Sequence, residues 1–241
     1  MEQYDLISER FVQLKLTAAY PAADTFTLLR EVGRVPGAAA LDVACGFGFN
    51  TRLLAGLGAY PVVGVDISPE MVRLAREHEE HQPLGLSYRV ADAANLPVIG
   101  AFDLATAVYL FNYAATGDAL RAMFARIHAN LKPGGRLVAL VPNPSPYPHG
   151  NWDPYGFHVH ERIAGGDVPL LKGEFLSDPA APLEFYEWQL ADLAAAAADC
   201  GFTSVRTRPV TPPPPTATRD AAFWQGYVDN PVSSMLTCTA D

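Results

Sequence analysis

A short stretch of this 241-residue chain, A-A-A-L-D-V-A-C-G-F-G-F-N-T from Ala38 to Thr51, combines an acidic residue with a bare glycine turn, an arrangement suited to chemistry. Gly46 and Gly48 let the backbone reverse at φ values that other residues avoid, and they leave room for a ligand against the main chain. Asp42 sets the sign of that ligand. A pyrophosphate would face it as a second anion in a poorly solvated cleft, whereas a cation would be stabilised there. A dinucleotide fingerprint also wants a third glycine where this chain has Thr51. Eighteen residues past Gly48, Asp66 ends a second apolar run and is placed to accept hydrogen bonds from two ribose hydroxyls. Dehydrogenases share that last feature, so the glycine pair and Asp66 alone leave the ligand class open.

The elements that must hold these groups follow from hydrophobic pattern and punctuation. Residues 39–44 and 61–65 read as short buried strands bounded by turn signals, with a helix starting at Asn50 and Thr51. Ser68-Pro69 opens a helix that runs to about Glu80, with serine as cap and proline in the first turn. Its His78 and His81 sit among glutamates and read as a solvated face rather than a metal pair. Further strands are expected at 87–90, 102–108, 136–141 and 205–210, with helices at 22–32, 119–131 and 187–199. Residues 4–16 read as an amphipathic helix, and 211–215 as a stiff proline-rich connection. A last strand is expected at 232–239, antiparallel at the sheet edge, and 223–228 as a piece of substrate wall.

Four landmarks, in order, carry a resemblance. D-x-x-C-G-x-G (Asp42, Cys45, Gly46, Gly48), then Asp66, then V-A-D-A (Asp92, Ala93), then L-K-P-G-G-R-L over 131–137 resemble motifs of the class I S-adenosylmethionine-dependent methyltransferases. Ala44 departs from the family's frequent glycine and should tighten the pocket. The resemblance implies an α/β, Rossmann-like class I methyltransferase fold, with a seven-stranded, mostly parallel sheet in the order 3-2-1-4-5-7-6, N-terminal cap helices and a lid insertion after strand five. It implies S-adenosyl-L-methionine as cofactor, with Asp42 at the ammonium, Gly46 and Gly48 at the amino-acid end, Asp66 at the ribose and Asp92 at the adenine. Cys45, Ile67, Met71, Ala93, Ala107 and Tyr113 complete the implied cofactor set. Tyr4 is a candidate for the methionine carboxylate or the substrate, unless its helix simply packs on the sheet edge.

The implied division is one methyltransferase domain over 1–241: cap helices to 36, a cofactor core at 37–141, a lid at 142–186, then a C-terminal helix and strands six and seven. Residues 142–182 are rich in proline, glycine and aromatics and are long for a connection. In the family such insertions often carry substrate specificity. This one holds His149, Tyr155, His158 and His160, the side chains to search for a general base. The alternation of His158 and His160 would equally suit one face of a covering strand. Its aromatics (Trp152, Tyr155, Phe157, Phe175, Tyr186, Trp188) suggest a small, flat acceptor, an aromatic or heterocyclic metabolite of secondary metabolism. The layout is similar to enzymes that methylate azaheterocycles such as toxoflavin precursors. Asn112 and Tyr113, after the fourth strand, are placed to reach that acceptor or to wall the adenine. N-P-S-P-Y at 143–147 superficially matches the N-P-P-Y motif of nucleobase methyltransferases but follows the wrong strand.

Composition narrows the partners. Hydrophobic residues make up 49% of the chain, enough for a sizeable core, and no apolar run approaches twenty residues. No basic-then-apolar start marks a signal peptide, and a cytoplasmic protein is expected. Three cysteines without a C-x-x-C pair fit a reducing compartment, and no metal is expected. A net charge of −9 disfavours nucleic acid or an anionic membrane as partner. The chain is expected as a monomer or homodimer. Two other readings stand beside methyl transfer: a protein that binds S-adenosylmethionine without catalysis, and an NAD-dependent dehydrogenase of similar fold.

Overall fold

The computed structural model describes residues 12, 15, 17–144 and 151–241. The expected helix over 4–16 lies outside these apart from Val12 and Lys15, both helical. Ten strands follow in chain order: β1 (Ala40–Val43), β2 (Val62–Asp66), β3 (Ser87–Val90), β4 (Phe102–Val108), β5 (Leu131–Pro142), β6 (Phe157–Ile163), β7 (Leu170–Phe175), β8 (Ala181–Tyr186), β9 (Phe202–Pro209) and β10 (Ser233–Ala240). Helices are α1 (Ala19–Val32), α2 (Phe49–Gly56), α3 (Pro69–His81), α4 (Gly117–His128), α5 (Leu190–Asp199) and α6 (Ala221–Asp229).

Seven strands form one sheet in the order β3-β2-β1-β4-β5-β10-β9. Counted within the sheet alone, this is the expected 3-2-1-4-5-7-6. The first five strands pair in parallel, and β10 is antiparallel to both neighbours. The last strand is therefore not at the edge as expected; β9 is, and its largely exposed pattern against the buried β10 shows why only β10 can sit inside. β1 lies inside the sheet between β2 and β4, buried on both faces, which is why its sequence is apolar apart from Asp42. Its register places Asp42 between Gly64 of β2 and Thr106 of β4.

Alternate residues of the central strands feed two cores. Leu41, Val43, Ala105 and Leu137 pack with Phe111, Phe124, Ile127 and Leu193, a core closed by α4 and α5. Ala40, Leu104, Val138 and Leu140 pack with Leu28 of α1, Leu54 of α2 and a group of aromatics from β6 to β8. The stretch 142–182 is not the aperiodic connection its prolines and glycines suggest. It contains most of a second sheet, β6-β7-β8, antiparallel throughout. β8 alternates buried and exposed, with Ala181, Leu183 and Phe185 inward, and β7 buries Leu171, Gly173 and Phe175. Among the described residues no helix is long and apolar enough to cross a membrane.

Candidate functional site

The turn after β1 holds three left-handed residues at alternate positions: Ala44 at φ 60°, Gly46 at 52° and Gly48 at 84°. Its rigidity comes from carboxylates bonded to main chain. The Gly46 N–H donates to Asp66 Oδ2 at 2.8 Å, and the Ser68 N–H donates to Asp66 Oδ1 at 2.9 Å. One carboxylate thus ties the glycine turn to the entrance of α3, where the Met71 N–H donates to the Ser68 hydroxyl as the sequence predicts. Asp92 accepts from the Ala94 N–H at 2.9 Å, fixing the bend after β3. Gly48 cannot carry a side chain, since a Cβ there would lie 2.5 Å from the Tyr88 hydroxyl.

Asp42 behaves differently from the expectation that it grips a ligand. It is 1% exposed, and its two oxygens accept from the Thr51 and Thr106 hydroxyls, each at 2.7 Å. Burial pushes its carboxyl up to about 6, against the two hydroxyl bonds that pull it down. The residue at the third-glycine position is therefore a partner of Asp42, and the pair braces α2 against the sheet beneath the turn.

Three cavities adjoin. The first is lined by Lys15, Tyr20, Cys45, Gly46, Asn50 and Met71, among others. The second, about 410 Å³, is lined by Ile67, Asp92, Ala93, Leu110 and Met123 and meets the first at Ala44 and Asp66. The third is aromatic, walled by Trp152, Phe157, Phe175 and Phe185 with Asn112 and Pro142. It meets the first at Tyr20 and Tyr109 and the second at Tyr113. The Trp152 indole is fixed by donating to the Asn230 carbonyl at 3.2 Å. Asn112, 4% exposed, has a buried amide oxygen to which no described residue donates.

The cavities thus bring together Cys45, Gly46, Asp66, Ile67, Met71, Asp92, Ala93 and Tyr113. They leave out Gly48, held under Tyr88, and Ala107, which is fully buried inside β4. Burial raises the Cys45 thiol well above its ordinary range, so it is no thiolate nucleophile. Tyr4 and His149 lie outside the described residues. The structure places the two remaining catalytic candidates away from these cavities. His158 is half-exposed on β6, paired with Asp153 at 2.7 Å beside His160, and lines none of the three cavities. Alternation on a strand, not proximity to the turn, accounts for it. Tyr155 is buried against Trp224 and Tyr227, donates to the Phe223 carbonyl at 3.2 Å, and lines a separate open groove with Phe223 and Arg219. Residues 223–228, expected as substrate wall, form part of α6 and also stay out of the aromatic cavity.

Sequence reasoning missed the group where the first and third cavities meet. The Tyr109 hydroxyl donates to Asp24 Oδ2 at 2.6 Å, and the Ser233 hydroxyl donates to Asp24 Oδ1. Asp24 is fully buried in α1, and Lys15 lines the first cavity nearby. An aspartate in the middle of an amphipathic helix, A-A-D-T-F, was the available signal: a charge on a buried face needs a partner.

Residues 40–135 match a family model described as a methyltransferase domain. The ribosomal protein L11 methyltransferase of Burkholderia multivorans is 36% identical over 122 residues, which are 51% of this chain and 38% of that protein. The match therefore spans under two fifths of that relative's length. Among solved structures, an S-adenosylmethionine-dependent methyltransferase from Mesorhizobium loti superposes with a TM-score of 0.65 at 21% identity, over 90% of this chain and 98% of that one. The 1,6-didemethyltoxoflavin-N1-methyltransferase of Burkholderia thailandensis, solved with bound 1,6-didemethyltoxoflavin and S-adenosylhomocysteine, gives 0.61 at 19% identity, over 99% and 87%. With the landmark order, the sheet order and the glycine turn in agreement, residues 40–135 belong to the methyltransferase-domain family, within a chain that has the class I S-adenosylmethionine-dependent methyltransferase fold.

Proposed function

We propose that this protein transfers the methyl group of S-adenosylmethionine to a nitrogen, oxygen or carbon of a small aromatic or heterocyclic metabolite, as a step in natural-product assembly. The single observation that carries this reading is the adjacency of the three cavities, which share wall residues: Ala44 and Asp66 on one side, Tyr20 and Tyr109 on the other. The cradle fits the donor on its own chemistry. Asp66 and Asp92 offer carboxylates where ribose hydroxyls and an adenine amine would lie, Ile67, Ala93 and Leu110 offer apolar faces for a base, and the bare backbone at Gly46 admits an amino-acid end.

When bound, S-adenosylmethionine supplies an electrophilic methyl on a sulfonium. The chain's own contribution is mainly orientation and exclusion of water. Tyr20 and Tyr109 form the partition across which donor and acceptor would meet. The aromatic walls position a flat acceptor by stacking and edge contacts. The orphaned amide oxygen of Asn112 accepts a hydrogen bond from an acceptor N–H or O–H, which selects for such a group because leaving that oxygen unpaired costs about 1–3 kcal/mol.

Calorimetric titration with S-adenosylmethionine, S-adenosylhomocysteine and NAD, followed by mass spectrometry of products from a panel of phenols and azaheterocycles, tests the reading. Binding of the first two ligands and a mass gain of one methyl in a panel member are expected. Comparable affinity for NAD would favour a dehydrogenase. Binding without transfer to any acceptor would favour a sensor.

A further inference from the structure

We infer that Tyr109 and Asp24 form a proton-accepting relay for the acceptor at the partition between the two cavities. The inference rests on the proposed methyl transfer and deepens it by naming where the acceptor's proton goes. Geometry comes first. Tyr109 is the residue, with Tyr20, that lines both the turn-side cavity and the aromatic cavity. Its backbone is left-handed, φ 57°, a conformation that costs a bulky side chain of order 1–3 kcal/mol and persists only where surrounding contacts over-determine it. Those contacts are present: its N–H donates to the Leu140 carbonyl at 2.8 Å, its ring packs edge-on to Tyr20 at 6.2 Å, and its hydroxyl donates to Asp24. Any residue with a Cβ would carry that backbone strain, and here it holds a phenol against a fully buried carboxylate.

The chemistry balances. The acceptor's O–H or N–H bond breaks and its proton passes to Tyr109 Oη, while the proton Tyr109 already carries moves along the existing 2.6 Å bond to Asp24 Oδ2. The bonding pair stays on the acceptor heteroatom, Tyr109 ends neutral as it began, and the negative charge moves from Asp24 to the acceptor. Ser233 keeps its bond to Asp24 Oδ1 throughout, so the carboxyl does not rotate away. Burial raises Asp24, making it a better base than an exposed carboxylate, and raises Tyr109, which disfavours a free tyrosinate and suits a relay in which the phenol gives and takes a proton together. Among the described residues, the other titratable groups facing the pair are Lys15, Tyr20 and Tyr227; the Lys15 charge opposes the rise of Asp24, and burial lowers Lys15 itself.

The test uses a probe that reports its own proton. 4-Nitrophenol is added to the whole protein saturated with S-adenosylhomocysteine, at a pH where the free probe is mostly neutral, and its phenolate absorption is read. The wild type should ionise the bound probe, and Tyr109→Phe, which keeps the ring, should leave it neutral while binding S-adenosylhomocysteine within about twofold of the wild type, since uniform cofactor binding is untouched. Asp24→Asn should do the same, and if that buried change prevents folding, Tyr109→Phe alone decides. Methyl transfer to panel acceptors should fall about 100-fold in Tyr109→Phe, in the ordinary range for losing a proton acceptor. A wild type that binds the probe and leaves it neutral, or a Tyr109→Phe that ionises it equally, overturns the relay. A wild type that fails to bind S-adenosylhomocysteine overturns instead the methyl transfer on which the relay rests.

Discussion

The two ends of the proposed site are built by different means. At the glycine turn, carboxylates tie main chain to main chain: Asp66 to Gly46 and Ser68, Asp92 to Ala94. At the aromatic cavity, the wall is assembled by packing from α1, β4's end, β6, β7, β8 and the approach to β10, with few polar contacts. The first construction fixes atoms to within hydrogen-bond tolerance and suits one invariant ligand. The second fixes only shape and can be altered residue by residue, which is what a site for a particular acceptor needs. The difference predicts that damage at the turn changes cofactor affinity, whereas damage at the aromatic wall changes the acceptor's KM and leaves the cofactor alone.

The sharpest way to break that contrast is Asp66→Ala. It leaves the Gly46 and Ser68 N–H groups without their carboxylate and removes the partner proposed for the ribose. Hydrogen bonds to charged groups contribute roughly 1.5–3 kcal/mol each, so S-adenosylhomocysteine affinity should fall at least about 100-fold by calorimetry. A loss under about threefold would mean the turn does not depend on Asp66.

Asp42 should register in stability rather than in ligand binding. Its folded carboxyl is raised to about 6 from an ordinary 3.8, so the native state holds a proton that the unfolded chain releases. The associated stability is present in full below the unfolded value and is lost as pH rises through the folded one, between about 4 and 6. Taken at face value the loss is about 3 kcal/mol. Denaturant midpoints of Asp42→Asn, compared with wild type across that window, should show a flatter pH dependence, because the amide does not titrate and the Thr51 and Thr106 hydroxyls can turn to meet it. Parallel curves would place the titration elsewhere.

The turn was legible because its glycines announce it locally, although the Asp66 carboxylate that ties it stands 20 residues on from Gly46. Gly46, Gly48 and the Ser68 cap act on their own segments, and β3 and β4 fall at the expected residues. Asp42 was misread because its partner Thr106 is 64 residues away and no local pattern reports a register. The aromatic cavity was legible only as composition. Trp152, Phe157 and Phe175 do line it, but Tyr155, equally aromatic, turns into a separate groove, and Trp188 is spent on the Ala114 carbonyl in the opposite core. β7 and β8 escaped because Gly173 and Pro182 interrupt their two-residue alternation. Tyr20, Asp24 and Tyr109 converge through tertiary packing alone, which no single stretch of sequence encodes.

On the aromatic side, Phe175→Leu removes a ring that stacks on Tyr20 at 6.5 Å and packs against Phe157 at 5.6 Å. An aliphatic side chain still fills most of the space, so folding should survive. Loss of one ring contact with a flat acceptor is worth about 1–1.5 kcal/mol, so the acceptor's KM should rise about tenfold with cofactor affinity unchanged. Weakened cofactor binding with an unchanged KM would reverse the assignment of the two ends.

The smallest effect sharpens the turn itself. Ala44 stands left-handed at φ 60°, and it lines both cavities on the cofactor side. A Cβ in that conformation costs roughly 1–2 kcal/mol, and glycine removes this cost while adding about 0.4–1 kcal/mol of unfolded-chain entropy. Ala44→Gly should therefore stabilise the protein by about 0.5–1 kcal/mol, a rise of about 1–4 °C in Tm for a chain of this size. Because the lost methyl also widens the junction beside Asp66, S-adenosylhomocysteine affinity should change by less than about threefold. A destabilised variant would mean that the Ala44 methyl packs favourably enough to outweigh its strained backbone, and that the turn is held more by side-chain contact than by the carboxylate ties at Gly46 and Ser68.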